Sequence, residues 1–165
     1  MQGFRLNTIE SYRPGPTVWI TGVVHGNEWC GLNAIKSLYQ SFHDKLACGR
    51  LSLCTANVLA SQQNKRFIDF DLNRCFNNPE AYGHEVRVAK AIKHQLTSAE
   101  FLLDLHSTTS PTKPFCAGAF TKKHLQLFEL TGLDIYTWGW GKHRSSSMLI
   151  DEVDRSDEEF EAFLL

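Results

Sequence analysis

Short apolar runs that alternate with segments of helical period constrain this chain more than any other feature. The first run, residues 17–24 (TVWITGVV), is β-branched, follows the Pro14-Gly15-Pro16 breaker and reads as a buried strand. After HGNEWCG comes a helical pattern, with Leu32, Ile35, Leu38 and Phe42 at three- and four-residue steps. Residues 51–58 (LSLCTANV) read as a second strand, and residues 84–96 as a helix through Val86, Ala89, Ile92 and Leu96. Residues 101–105 (FLLDL) form another short apolar strand. A weaker helix over 122–130, stopped by Gly132, and a strand over 134–138 complete the series. Residues 59–82 are polar and turn-rich, and read as one long functional loop. Strands and helices in this alternation predict an α/β fold: a mostly parallel mixed sheet with helices on both faces.

At 165 residues the chain is long enough for one domain with a real core. Its net charge of -1 argues against nucleic acid, whose binders carry a basic face or stripe. No apolar run approaches the roughly 20 residues that span a bilayer. The segment MQGFRLNTIESYRPGP lacks the apolar stretch of a signal peptide, so the expected compartment is the cytoplasm. The 5 cysteines are scattered without a C-x-x-C pair, and read as small buried apolar residues. The acidic run Asp151, Glu152, Asp154, Asp157, Glu158, Glu159 and Glu161 reads as a solvated helix face or a frayed tail.

In open α/β sheets, sites form beyond the carboxyl ends of the strands. One predicted strand runs into His25, with Glu28 three residues on; another runs into His106. Two imidazoles and a carboxylate leave one tetrahedral position open, as a catalytic zinc requires. A three-residue gap spans one turn and brings His25 and Glu28 to one side, and Gly26 permits a tight path after the strand. Asp104 stands two residues before His106, so on a strand both side chains face one way. It is placed to orient the imidazole from behind. An isolated H-x-x-E pair is common by chance, and a histidine at a strand end is often only hydrogen-bonded. The wider context therefore decides.

That context is RFIDFDLNR, residues 66–74, which puts Arg66, Asn73 and Arg74 in a loop. A guanidinium grips a carboxylate with two parallel hydrogen bonds, so such a loop suits an acidic substrate. The alternative is a surface loop with ordinary ion pairs.

VVHGNEWCG, RFIDFDLNRCF and LDLHSTTS, in that order, resemble the three signatures of the succinylglutamate desuccinylase/aspartoacylase family, relatives of the zinc carboxypeptidases. The D-L-N-R-x-F block and the histidine before a Thr-Thr-Ser run are closer to the aspartoacylase branch. The resemblance implies a zinc carboxypeptidase-like fold, with one zinc per chain on His25, Glu28 and His106. It implies that Arg66 polarises the scissile carbonyl and stabilises the oxyanion. Asn73 and Arg74 would then hold the substrate's α-carboxylate, with Asp71 bracing the arginine loop. The reaction implied is hydrolysis of the amide bond of an N-acyl amino acid.

The family also uses a proton-moving glutamate in a late E-x-G strand, and that motif is not found in this sequence. Glu152, Glu158, Glu159 and Glu161 precede no suitable glycine and lie in no strand-like run. The family's smaller C-terminal β-rich domain is not seen either. The expectation is therefore a single zinc-binding, catalytic-type domain over residues 1–165, incomplete at its C-terminal end, with impaired turnover. Its exposed sheet edge could support self-association. Two other readings stand beside it: a carboxypeptidase that cleaves peptides, and a non-catalytic zinc- or ligand-binding module. Trp138-Gly139-Trp140-Gly141 and Lys142-His143-Arg144 could form a wall of the site, with Arg144 on the acyl group, although packing is the expected role of the tryptophans. His43, His84, His94 and His124 read as surface or capping residues.

Overall fold

The computed structural model describes residues 3–139, 148–150 and, for the backbone alone, 161–164. The strands are β1 (Arg5–Glu10), β2 (Thr17–Gly22), β3 (Arg50–Thr55), β4 (Phe101–Leu105), β5 (Cys116–Gly118), β6 (Tyr136–Trp138) and β7 (Glu161–Leu164). They form a 7-stranded sheet in the order β1-β3-β2-β4-β7-β5-β6. Strands β3, β2, β4 and β7 run parallel, as do β5 and β6; β1 is antiparallel to β3, and β5 to β7. The helices are α1 (Trp29–Phe42), α2 (Val58–Gln62), α3 (His84–Leu96) and α4 (Lys122–Thr131), with a 3-10 turn at Leu72–Arg74. The expected α/β architecture with a mostly parallel mixed sheet is the one this chain adopts.

The period of two along each strand separates the two faces. Trp19 of β2 and Leu102 of β4 join one core with Val88, Ala89, Ile92 and Leu96 of α3. Their neighbours Ile20 and Leu103 belong to the other core, with Leu51, Leu53 and Ile35 of α1. Thus α1 covers one face and α3 the opposite one. Ile92, Leu53 and Leu102 are almost fully buried, each worth about 1.5–3 kcal/mol in removal of apolar surface from water.

Several expectations need correction. Strand β2 stops at Gly22, short of residue 24, because Val23 takes a φ of 64°. A β-branched residue in that left-handed region costs about 1–3 kcal/mol and turns the chain out of the sheet. Strand β3 likewise ends at Thr55, where Ala56 N and Asn57 N donate to the carbonyls of Gly22 and Val23 and lead into α2. The segment 59–82 is therefore not all loop: it holds most of α2 and the 3-10 turn. Strands β1, β5 and β7 have no counterpart in the series expected from the sequence. Glu161 does lie in a strand, and β7 is interior to the sheet, between β4 and β5. The sheet edges among the described residues are β1 and β6. Cys54, Cys75 and Cys116 are buried as expected, but Cys30 and Cys48 are exposed. Trp138 is 58% exposed and stacks obliquely on Phe120, with ring centroids 4.8 Å apart, so it covers no core. His124 is buried, and its ring meets the Thr121 hydroxyl at the start of α4. Trp140 to Arg144 and Glu152, Glu158 and Glu159 lie outside the described residues. Among those described, no helix is long and apolar enough to cross a membrane.

Candidate metal centre

The carboxyl ends of β2 and β4 are neighbours, since Gly22 pairs with Leu105. Each strand hands its chain to a histidine just beyond that end. After the turn at Val23, a hydrogen bond from Glu28 N to the His25 carbonyl (3.0 Å) closes residues 25–28 into a tight turn. Helix α1 can start directly above because Gly22 and Gly31 are both glycines. A Cβ on Gly22 would sit 2.9 Å from the Gly31 carbonyl oxygen.

Glu28 occupies the N-cap position of α1, yet its side chain makes no capping bond. It turns inward instead. Oε1 lies 2.7 Å from His25 Nδ1 and Oε2 3.0 Å from His106 Nδ1, while Oε2 also accepts from Ser107 N at 3.1 Å. All three side chains are largely buried. The outward nitrogen of each ring meets another carboxylate. His25 Nε2 is 3.2 Å from Asp71 Oδ1, and His106 Nε2 is 2.9 Å from Asp104 Oδ2. In the neutral rings, a proton held on each Nε2 by these carboxylates would leave both Nδ1 lone pairs for a cation at the centre.

Arg66 completes the group. Its Nη2 stands 2.8 Å from His25 Nε2 and 3.2 Å from Asp71 Oδ2, with Nη1 3.9 Å from Glu28 Oε1. Asp71 accepts from Asn73 N at 2.9 Å and so caps the 3-10 turn that carries Asn73 and Arg74. Asn73 is buried, and its amide oxygen accepts from Leu149 N at 2.9 Å. That bond commits the oxygen and leaves the amide N–H groups as the side chain's remaining donors. Arg74 folds back to donate from Nη1 to the Asn73 carbonyl at 2.6 Å.

The electrostatics describe a site short of positive charge. Burial pushes the Glu28 carboxyl up, but hydrogen bonds from His106 and His25 outweigh it and hold the group at about 2. Burial works against protonated His106, yet the Asp104 and Glu28 carboxylates lift its pKa to about 10. His25 is raised in the same way against its burial, by Asp71 and Glu28. For Asp71 too, burial is overcome by His25 and Arg66, which hold the carboxyl well below the usual range.

His25, Glu28 and His106 each offer one ligand atom, and these atoms lie within 4.8 Å of one another. Two imidazole nitrogens and one carboxylate oxygen, each braced from behind or beside, form a donor set suited to zinc. The site gathers three carboxylates (Glu28, Asp71 and Asp104) and one guanidinium, that of Arg66 beside Glu28 and Asp71. With both imidazoles neutral, that leaves two negative charges, the charge one divalent cation carries. The residues present fit such an ion.

The model of the succinylglutamate desuccinylase/aspartoacylase catalytic domain matches residues 14–133. The chain belongs to this family. A probable aspartoacylase of Acaryochloris marina (strain MBIC 11017) is 41% identical over 106 residues, covering 56% of this chain and 35% of its own length. An N-acyl-aromatic-L-amino acid amidohydrolase (carboxylate-forming) of Xenopus laevis is 31% identical over 109 residues, covering 59% of this chain and 36% of its own. The chain thus matches only about a third of the length of these curated relatives. The crystal structure of a succinylglutamate desuccinylase/aspartoacylase from Rhodobacter sphaeroides superposes with a TM-score of 0.80 over 96% of this chain and 50% of that one. At 22% identity this likeness speaks for the fold, which the family shares.

One participant escaped the sequence reading. Glu85 is fully buried on α3 and holds the backbone of the arginine loop. The signal was available: Glu85 falls on the same helical stripe as Val88, Ala89, Ile92 and Leu96, where a carboxylate is out of place.

Proposed function

We propose that this chain is a single catalytic-type domain that hydrolyses the amide bond of N-acyl amino acids, with zinc held by His25, Glu28 and His106. The observation that carries the reading is the convergence of those three side chains with Arg66 beside them. The relatives' printed names, aspartoacylase and N-acyl-aromatic-L-amino acid amidohydrolase, support the same reaction class. Bound zinc would supply a Lewis acid and lower the pKa of an attacking water.

The chain's own residues account for orientation and charge. Once His25 Nδ1 is engaged, its Nε2 carries the proton and donates to Asp71 Oδ1. Arg66 Nη2 then has no acceptor in the ring, so the guanidinium keeps Asp71 Oδ2 and turns its other N–H groups toward a substrate carbonyl oxygen. Donors aimed at an oxyanion commonly contribute 10²–10³ in rate, on the order of 3–4 kcal/mol. The Asn73 amide and the Arg74 guanidinium follow on the same 3-10 turn and would receive the substrate's α-carboxylate.

A second reading is a zinc- or ligand-binding module with little turnover, and the backbone position of Glu161 bears on it. Glu161 pairs with Phe101 at the start of β4, while Leu164 pairs with Asp104. Its backbone therefore lies roughly 13 Å back along the strand from the His106 end, at about 3.3 Å per residue. It cannot serve there as the proton-moving glutamate.

The test is zinc analysis of the purified chain, combined with an assay on a panel of N-acyl amino acids and short peptides. One zinc per chain, lost on His106→Ala, and release of an acyl acid from N-acyl amino acids are expected. Zinc without cleavage of any acylated amino acid, at any loading, selects the binding module. Cleavage of peptides alone selects a carboxypeptidase, and absence of zinc binding ends the reading.

A further inference from the structure

We propose that Glu85 is the positioning residue of the arginine loop, setting Arg66 and Asp71 against His25 from the opposite side of that loop. The inference rests on the hydrolase reading above for its effect on activity, and on geometry for the rest. Residues 63–71 form no helix or strand, so their backbone N–H groups must find partners elsewhere. Three consecutive ones find Glu85. Ile68 N donates to Oε1 at 2.7 Å, and Asp69 N and Phe70 N donate to Oε2 at 3.1 and 3.2 Å. Asn57 Nδ2 supplies a fourth donor, to Oε1 at 3.0 Å. The carboxylate is 0% exposed, so each oxygen is filled by two protein donors. An amide of the same shape would turn its own N–H groups on two of them.

The anchor is also tied to the stretch of chain that leads into His25. Asn57, itself buried, donates its backbone N–H to the Val23 carbonyl, two residues from His25. The loop answers α3 in return, since Asp69 Oδ2 accepts from His84 N at 2.7 Å. That clasp needs Gly83, whose φ is 82° and where a Cβ would come within 2.3 Å of Asp69 Oδ2. Arg66 stands two residues before the first anchored amide and Asp71 one residue after the last. Shifting the three amides therefore moves both. The carboxyl is pushed up by burial, but these donors outweigh that and hold it below the usual range, as a tightly solvated anion requires.

The test uses the whole chain loaded with zinc. In the unaltered protein, the Ile68, Asp69 and Phe70 amides should exchange with solvent at least 100-fold slower than an open loop; exchange at open-loop rates overturns the proposal without any variant. In Glu85→Gln these amides should exchange at least tenfold faster, while Leu53 is unchanged and one zinc per chain is retained. On an N-acyl amino acid that the unaltered chain cleaves, kcat/KM should fall at least tenfold. In an Arg66→Lys background the same change should cost less than twofold, because Glu85 acts through the loop that carries Arg66. An equal loss in both backgrounds, or Glu85→Gln with unchanged exchange, overturns the positioning role. If the unaltered chain binds zinc but cleaves nothing, the hydrolase reading fails. The exchange experiment then decides the role of Glu85 alone.

Discussion

Replacing Asp104 with asparagine is the sharpest probe of the candidate metal centre, because it keeps the shape of the side chain and removes its charge. Asp104 is 0% exposed in β4, and its Oδ2 accepts from His106 Nε2 at 2.9 Å. An asparagine oxygen can accept the same bond, so the tautomer that points Nδ1 at Glu28 survives. The new amide nitrogen falls where Oδ1 now stands, an atom without a hydrogen-bond partner among the described residues. What is lost is the charged character of the bond. Hydrogen bonds to charged groups contribute about 1.5–3 kcal/mol against about 0.5–1.5 for neutral ones, a difference near 1–1.5 kcal/mol. That corresponds to roughly 5- to 13-fold in zinc affinity, at the lower end of the about 10- to 100-fold lost when partners behind ligand imidazoles are replaced. Competition titration against a chelator of known affinity measures it, with circular dichroism of the zinc-free forms as the control for folding. Affinity within twofold of the unaltered chain would refute the claim that Asp104 tunes a ligand, and so weaken the assignment of His106 as one.

Gly26→Ala should lower both stability and turnover, since the added Cβ would meet backbone atoms of Ala60, Ser61 and Lys65 at 2.3–2.5 Å where Gly26 N donates to the Arg66 carbonyl. Overpacking against backbone costs about 1–3 kcal/mol; a denaturation midpoint equal to the unaltered chain's would count against it. The folded carboxyl of Glu85 titrates below its ordinary value of 4.5, so its stabilising contribution is complete above that pH and is lost as pH falls through the folded value. The stability gap between the unaltered chain and Glu85→Gln, read from urea titrations at a series of pH values, should therefore shrink on acidification below about 4.5; a constant gap is evidence against an ionised anchor. Zinc at 100 times its Kd should add about 2.7 kcal/mol, or roughly 5–11 °C in Tm for a chain of this size. Melting with and without chelator reads this directly, and coincident curves exclude zinc as a resident ion.

The elements that could be read from the sequence are those whose pattern matches their burial. Helix α3 and strand β4 fall where periodicity places them, because Val88, Ala89, Ile92 and Leu96 form one buried stripe and FLLDL is interior to the sheet. Strand β1 was missed because RLNTIE buries only Ile9 among its side chains, as an antiparallel edge strand can. Strands β5 and β6 are three residues each, below the length at which alternation is visible, and β6 was overextended. Strand β7 hid at the end of an acidic run, where charge outweighed the apolar EAFL. The candidate ligands were legible because His25 and His106 follow strand ends, with Glu28 one turn on, where sequence spacing and sheet register carry the same information. The burial of Glu85 is signalled by its place on the α3 stripe, but its role depends on which loop crosses α3, and that is a tertiary fact.

A carboxylate buried under a loop explains why the ligands and the loop can behave as separate layers. His25, Glu28 and His106 are set by the sheet: β2 and β4 are paired through Gly22 and Leu105, and α1 rests on Gly22 through Gly31. Arg66 and Asp71 are set by a segment with no ladder of its own, whose amides at residues 68–70 donate to Glu85 and whose Arg66 carbonyl accepts from Gly26 N. The two layers meet at His25, which Glu28 touches on one nitrogen and Asp71 and Arg66 on the other. Breaking the first layer should remove the capacity to hold an ion; breaking the second should leave that capacity and displace Arg66. On the proposed reading, zinc content and turnover should therefore be separable, and a substitution at Glu85 or Gly26 that abolished both together would show that the loop and the sheet hold a single site between them.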